Sequence, residues 1–153
     1  MMQIGESSEA SFRHWLVVEG GQTKTTSAFL ALMGEGLVEF GIPVDRMLLS
    51  VRTIHPQILA TGYLWNAGHD VVEIDRTFDI LNAPEYLESP FKMIHDGATI
   101  VRRRLTGPDA RIDMPIMEEL RNEGFTDYVG LQFVMSDGTR DAISLSTCHP
   151  GGF

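Results

Sequence analysis

The sequence predicts an α+β domain whose helices pack on an antiparallel sheet, and three observations predict it. Apolar residues recur at helical spacing as far as Phe40, after which the period switches to two. The segments that follow are joined by hairpin-length turns, not by helices in strict alternation. The resulting order is helix, helix, three strands, helix, strand, helix, two strands, which does not suit a doubly wound parallel sheet.

Each element has its own warrant. Ser11 to Glu19 carries Phe12, Trp15 and Leu16 on one helical face and stops at Gly20-Gly21. A second helix begins in the Thr23–Thr26 region, with Phe29, Leu32, Met33, Gly36, Leu37 and Phe40 forming its stripe. Gly41 and Pro43 end it. Gly36 lies on that stripe, where it costs about 1 kcal/mol against Ala, so close packing against it is expected. Met47, Leu49 and Val51 then alternate with Leu48, Ser50 and Arg52, giving a strand that ends near His55-Pro56. A second strand covers about Leu59 to Trp65, Asn66-Ala67-Gly68 turns the chain, and Val71 to Arg76 returns. Ser89-Pro90 is a capping residue followed by Pro at the first helical position, opening a short helix closed by Gly97. Thr99 to Leu105 is a strand broken by Gly107-Pro108. Asp113 with Pro115 starts a helix that runs to Gly124.

The last hairpin has a register that can be argued. A two-residue turn places Phe133 opposite Ala142 and mixes the faces. A three-residue loop, with Gly138 in the left-handed conformation, pairs Leu131 with Ile143 and Gln132 with Ala142, and only this keeps one face apolar. The other face then shows Ser50, Arg52, Gly130, Gln132, Ala142, Ser144 and Ser146, which are small or polar.

Composition bounds the function. The 153 residues fit one domain, and 43% hydrophobic residues can fill its core. Twelve Lys and Arg against 21 Asp and Glu give a net charge of −9, which repels phosphate backbones and argues against a nucleic-acid partner. The one cysteine, Cys148, excludes an internal disulfide and suits a cytoplasmic location. No apolar run approaches the roughly 20 residues that span a bilayer. His14, His55, His69, His95 and His149 show no paired metal-ligand spacing, so neither a metal nor a cofactor is expected. No Ser has a nucleophile-elbow context, and Glu118-Glu119 reads as a solvated helix flank.

Several short strings carry a resemblance: His55-Pro56-Gln57, Trp65, Ser89-Pro90, Arg102-Arg103-Arg104-Leu105 with Gly107-Pro108, and Ser136-Asp137-Gly138. To these add Asp113 to Tyr128, read as D-x-P-x-x-x-E-L-R-x-E-G-x-T-D-Y, and the closing Pro150-Gly151-Gly152-Phe153. In order and spacing this set resembles the GAF-like N-terminal regulatory domain of bacterial class III adenylate/guanylate cyclases. The resemblance implies a sheet of about six antiparallel strands with helices on both faces, the closing helix of that fold being absent. Residues 1–153 would form one sensory domain, with a cyclase domain following in the parent protein. No segment matches a cyclase catalytic domain with its two metal-binding aspartates, so this chain itself is expected to do no chemistry.

The resemblance also implies a site. One sheet face of GAF domains packs on helices, while the other lies beneath a lid that encloses a small ligand. On this chain the implied lining is Arg52, His55, Gln132 and Ser144, with Trp65 or Tyr63 as a wall, holding a small polar molecule. GAF domains also dimerise through their first and last helices, and the first here carries Phe12 and Trp15, so a homodimer is expected with those residues at the interface, weakened by the absence of the last helix. A dimerisation module without a ligand, or a stand-alone enzyme on the same scaffold, are the rival readings. The alternating guanidiniums of Arg102 and Arg104 could hold a carboxylate or phosphate, although surface salt bridges are their ordinary use. Cys148-His149 is similar to the dipeptide of bilin-binding GAF domains, yet it follows the last strand, which is not where they place it.

Overall fold

The computed structural model describes residues 6–153. Two helices come first, α1 (Glu6–Gly20) and α2 (Thr26–Glu39). Thr25 caps α2, its Oγ1 accepting from the Ala28 N–H at 3.1 Å. Gly41, at φ 91°, closes it as Ile42 and Gly41 donate back to Leu37 and Val38. Three strands follow: β1 (Arg46–Arg52), β2 (Ile58–Asn66) and β3 (Val72–Thr77). A 3-10 turn (Phe78–Asn82) and a four-residue helix α3 (Pro84–Leu87) then lead into α4 (Pro90–His95). Neither of these first two was expected. Their large residues Phe78, Leu81 and Leu87 are exposed, so no buried stripe marks them in the sequence. The chain ends with β4 (Ile100–Arg104), α5 (Pro115–Asn122), β5 (Asp127–Val134) and β6 (Arg140–Thr147).

The six strands form one sheet in the order β3-β2-β1-β6-β5-β4, every neighbouring pair antiparallel. The last hairpin has the expected register, with Leu131 opposite Ile143 and Gln132 opposite Ala142. Its loop is Ser136-Asp137-Gly138, Gly138 sits at φ 84°, and Phe133 packs against the core.

Side chains alternate across the sheet, so parity sorts them onto two faces. Met47, Leu49, Tyr63, Trp65, Phe133, Ile143 and Leu145 lie on one face and pack with Leu30 and Leu37 of α2. The fit is close: a Cβ on Gly34 would meet the Trp65 ring at 2.6 Å, and one on Gly36 would run into the Trp15 ring. The packing anticipated at Gly36 is therefore Trp15 lying on bare backbone. The opposite face carries α4 over Val101 and Ala142, and α5 over Leu105 and Tyr128. Helices thus cover both faces. No helix among the described residues is long and apolar enough to cross a membrane.

The helix α5 starts differently from expectation. Its capping position is Met114, which offers no side-chain acceptor. The Asp113 carboxylate instead receives the Arg103 guanidinium at 2.9 and 3.0 Å, which ties the helix start to β4.

Candidate functional site

The second face does not pack solidly. Between it and the lid lies a cavity of about 420 Å³, within the range of roughly 300–1,000 Å³ typical of small-molecule sites. The small residues leave the room. Ser50, Ala60, Gly62 and Ser144 form the centre of the floor, flanked by Leu48 and Ile74. The 3-10 turn contributes Ile80 and Leu81 to the roof, α3 contributes Tyr86, and α4 contributes Phe91 and His95. Pro115, Ile116 and Glu119 of α5 close one side.

Local bonds hold the roof in place. Ser89 caps α4 by accepting from the Lys92 N–H at 3.2 Å, and its own hydroxyl donates to the Tyr86 carbonyl at 2.6 Å. Gln132 donates from Nε2 to the Ile94 carbonyl at 3.1 Å, fastening α4 to β5. The Tyr86 hydroxyl and His95 Nδ1 lie 2.7 Å apart and link α3 to α4. Burial, then the nearby Arg52 cation, lowers the His95 pKa, so the ring is neutral at pH 7. Burial raises that of Tyr86, which stays protonated.

The floor is cationic. Arg46, Arg52 and Arg76 line it, and among the described residues none of these guanidiniums has a hydrogen-bond or ion-pair partner. Burial lowers the Arg46 pKa against the raising influence of Glu123, Tyr128 and Glu119. Tyr128, buried on the same face, has its pKa pushed up to about 12 by burial, against a hydrogen bond with Ser144 that lowers it. It therefore serves as a neutral hydroxyl.

The expected site residues divide. Arg52 and Ser144 line the cavity. Gln132 is on the right face but beneath α4, its amide already committed. Two are misplaced. Trp65 is opposite Met47 in the β1–β2 pairing, so it points to the helix-packed face and is 3% exposed there. His55 stands outside the cavity lining, and its Nδ1 accepts from the Gln57 and Ile58 N–H groups at 3.0 and 3.1 Å, shaping the β1–β2 loop. Phe12 and Trp15, expected at a subunit interface, are half-buried, and their ring centroids lie 5.3 and 6.0 Å from that of Phe40 in the same subunit. Missed were Arg46, Arg76, Tyr86 and His95. Arg46 was within reach of the period-two argument, being four residues before Ser50 on the same face.

The arginine run on β4 has the ordinary use. Arg102 donates to both oxygens of Asp127, at 3.0 and 2.5 Å, and Arg104 approaches at 3.4 Å. Asp127 is fully buried and also accepts from the Tyr128 and Phe153 N–H groups. Burial pushes its pKa up, but the bonds from Arg102 and Phe153 and the charges of Arg102 and Arg104 outweigh that and hold it low. Gly152, at φ 73°, makes room: a Cβ there would collide with Arg104 and Asp127.

No family model matches the chain. Its fold is nevertheless shared with solved structures. The GAF domain of a phosphoenolpyruvate-protein phosphotransferase from Coxiella burnetii superposes with a TM-score of 0.58 at 11% identity, over 97% of this chain and 83% of that one. The A. Aeolicus nlh2 GAF domain in an inactive state gives 0.56 at 9% identity, over 95% and 82%. The GAF domain of a two-component sensor histidine kinase from Bacillus halodurans gives 0.55 at 12%, over 84% and 80%. The fold is that of the GAF domains. Within a GAF fold, the cavity described above lies between the sheet and the roof made by the 3-10 turn, α3 and α4. Cys148 is exposed beyond β6 and is not among the cavity residues.

Proposed function

We propose that this chain is a regulatory domain that binds a small polar molecule in the cavity and thereby controls a class III nucleotide cyclase in the cytoplasm. The cavity carries the reading: a floor of small residues with unpaired polar groups, roofed by short helices that their own hydrogen bonds hold in place. Such a roof can shift when a ligand fills the space beneath it, which is what coupling binding to an output requires. The GAF folds that resemble it include one from a sensor histidine kinase, a signalling context of the same kind. The cyclase partner rests on the residue strings of the sequence, from His55-Pro56-Gln57 to Pro150-Gly151-Gly152-Phe153.

The test uses Gly62. A Cβ there would touch Ile74 and Leu48 at 3.6 Å, ordinary van der Waals distance, so the backbone accepts a side chain at this floor position and Gly62→Leu takes up part of the cavity. Native mass spectrometry of the chain incubated with a small-molecule cell extract should show a discrete added mass at one per chain, lost in Gly62→Leu. Joined to a class III catalytic domain, the wild-type chain should make cyclic nucleotide synthesis respond to that extract, and Gly62→Leu should abolish the response. An added mass that persists in the variant, or an output indifferent to the extract, refutes the proposal.

A further inference from the structure

Burying a guanidinium is costly unless something answers it. In a chain of net charge −9 carboxylates are plentiful, and Arg102, Arg103 and Arg104 each have one. Arg46 has none. It is half-buried at the floor of the cavity, and no described residue hydrogen-bonds it or brings a carboxylate within 4.0 Å. Its cross-strand partner on β6 is Ser146, which faces the same way. The Ser146 hydroxyl is buried beneath the floor, outside the cavity lining, and has no hydrogen-bond partner. Glu123 and Glu119 favour the Arg46 charge only from beyond 4.0 Å, and a half-buried guanidinium with no direct partner is not what folding stability alone favours.

The rest of the cavity sorts by charge. Arg52 and Arg76 flank Ala60 in one row across β1, β2 and β3, at the far end of β1 from Arg46. Every charged group of the floor is therefore cationic. The carboxylates that line the cavity, Glu85, Glu88 and Glu119, come from α3, the turn after it, and α5, and none is within 4.0 Å of a floor arginine. Leu48 and Ile74 supply apolar surface between the two ends of the floor.

We infer that the molecule this cavity receives is a small organic anion, its carboxylate or phosphate held by Arg46 at the floor. This rests on the sensor reading given above. The body of the anion lies on Leu48 and Ile74, and donor groups on that body meet the carboxylates of the roof. Arg52 and Arg76 raise the local potential and draw anions in. Desolvation of Arg46 is then a cost carried by the ligand-free protein and relieved on binding.

A matched pair of dyes tests it. Anilinonaphthalene sulfonate and its uncharged parent phenylnaphthylamine share one body and differ by the acidic group. The sulfonate should bind once per chain and more tightly than the parent. Arg46→Met should weaken the sulfonate about tenfold or more, the scale of a lost charge-assisted hydrogen bond, and leave the parent dye unchanged. The same substitution should raise the Tm of the ligand-free protein by about 2 °C or more. Arg52→Gln with Arg76→Gln should slow sulfonate association, and Arg140→Gln, on β6 outside the cavity lining, should change nothing. Equal affinity for the two dyes, or sulfonate binding indifferent to Arg46→Met, overturns the anion inference and leaves the sensor reading standing. A fall in Tm overturns it as well, because Arg46 would then be serving the fold. If neither dye binds, or Gly62→Leu leaves both bound, the cavity is not a ligand site and both conclusions fall together.

Discussion

Asp127→Asn should destabilise the domain by about 2–3 kcal/mol at pH 7. The carboxylate is fully buried and receives five donors: two from Arg102, one from Arg104, and the N–H groups of Tyr128 and Phe153. Asparagine keeps the shape but replaces one acceptor oxygen with an NH₂ donor. Oδ1 can still take the Tyr128 N–H. The amide nitrogen then faces Arg102 Nη2 and the Phe153 N–H, donor against donor. Removing one partner of a fully buried pair costs about 3–5 kcal/mol. Here the Arg102 side chain is 47% exposed and that of Arg104 32%, so water re-solvates both guanidiniums and the cost is discounted. What remains is on the scale of one or two hydrogen bonds to a charged group, about 1.5–3 kcal/mol each before that discount. At this size the loss lowers Tm by about 5–10 °C. The pH dependence fixes the cause. The folded pKa of Asp127 lies below its ordinary value, so its contribution is complete above the unfolded pKa of about 3.9 and fades as pH falls through the lower folded value. Urea denaturation of both proteins should show a constant gap from about pH 5 to 8 that narrows below about pH 4. A gap under about 0.5 kcal/mol at pH 7, the level of an ordinary surface substitution, would refute the reasoning. So would one that stays undiminished in acid.

Three further outcomes follow from the same structure. Gly34→Ala should cost more than Gly36→Ala in urea denaturation, because overpacking costs about 1–3 kcal/mol and the 3%-exposed Trp65 cannot yield, whereas the half-buried Trp15 can swing toward water; the reverse order, or a gain at Gly34, contradicts this. Asp141→Asn should raise Tm at pH 7, since burial lifts the Asp141 pKa and the ionised form is costly, while Asn can still accept the Arg52 N–H that now lies at 3.3 Å; the gain should vanish as pH falls below the unfolded pKa of about 3.9, and a loss at pH 7 refutes the assignment. Sedimentation at high concentration should show a homodimer weakened by Val17→Glu, because Val17 and Val18 of α1 are 75% and 42% exposed beside the half-buried Trp15; a monomer at every concentration refutes the expected dimer.

What could be read from the sequence followed the places where parity was pinned. The β5–β6 register was legible because a glycine with positive φ set the loop length, and a shift of one residue would have turned Leu131 and Ile143 outward. From β6 the same parity passes to β1, where Leu48 pairs with Ser144, so the small-residue face was also legible. The β1–β2 connection had no such marker. Its five residues, Thr53 to Gln57, are shaped by a histidine side chain accepting two backbone N–H groups, an arrangement that leaves no periodic trace. Nothing in the sequence therefore marks that Trp65 faces the helices, or that His55 staples the loop outside the cavity lining. The roof escaped for a different reason: a 3-10 turn and a four-residue helix are too short to show a period, and part of their apolar surface remains exposed. The quoted strings behave otherwise again. Asp113 and Asp127, fourteen positions apart in one string, turn out to answer the three arginines of another, Asp113 taking Arg103 on one face of β4 and Asp127 taking Arg102 and Arg104 on the other. Read as text they are two unrelated motifs. In space they are one clamp that joins β4, β5, the start of α5 and the Gly152-Phe153 segment, with Gly152 required where the backbone passes the guanidinium. The residues that carry the resemblance are thus mostly residues that hold the scaffold, although Ser89, Glu119 and Tyr128 also line the cavity, whereas the floor arginines Arg46, Arg52 and Arg76 lie outside every one of those strings.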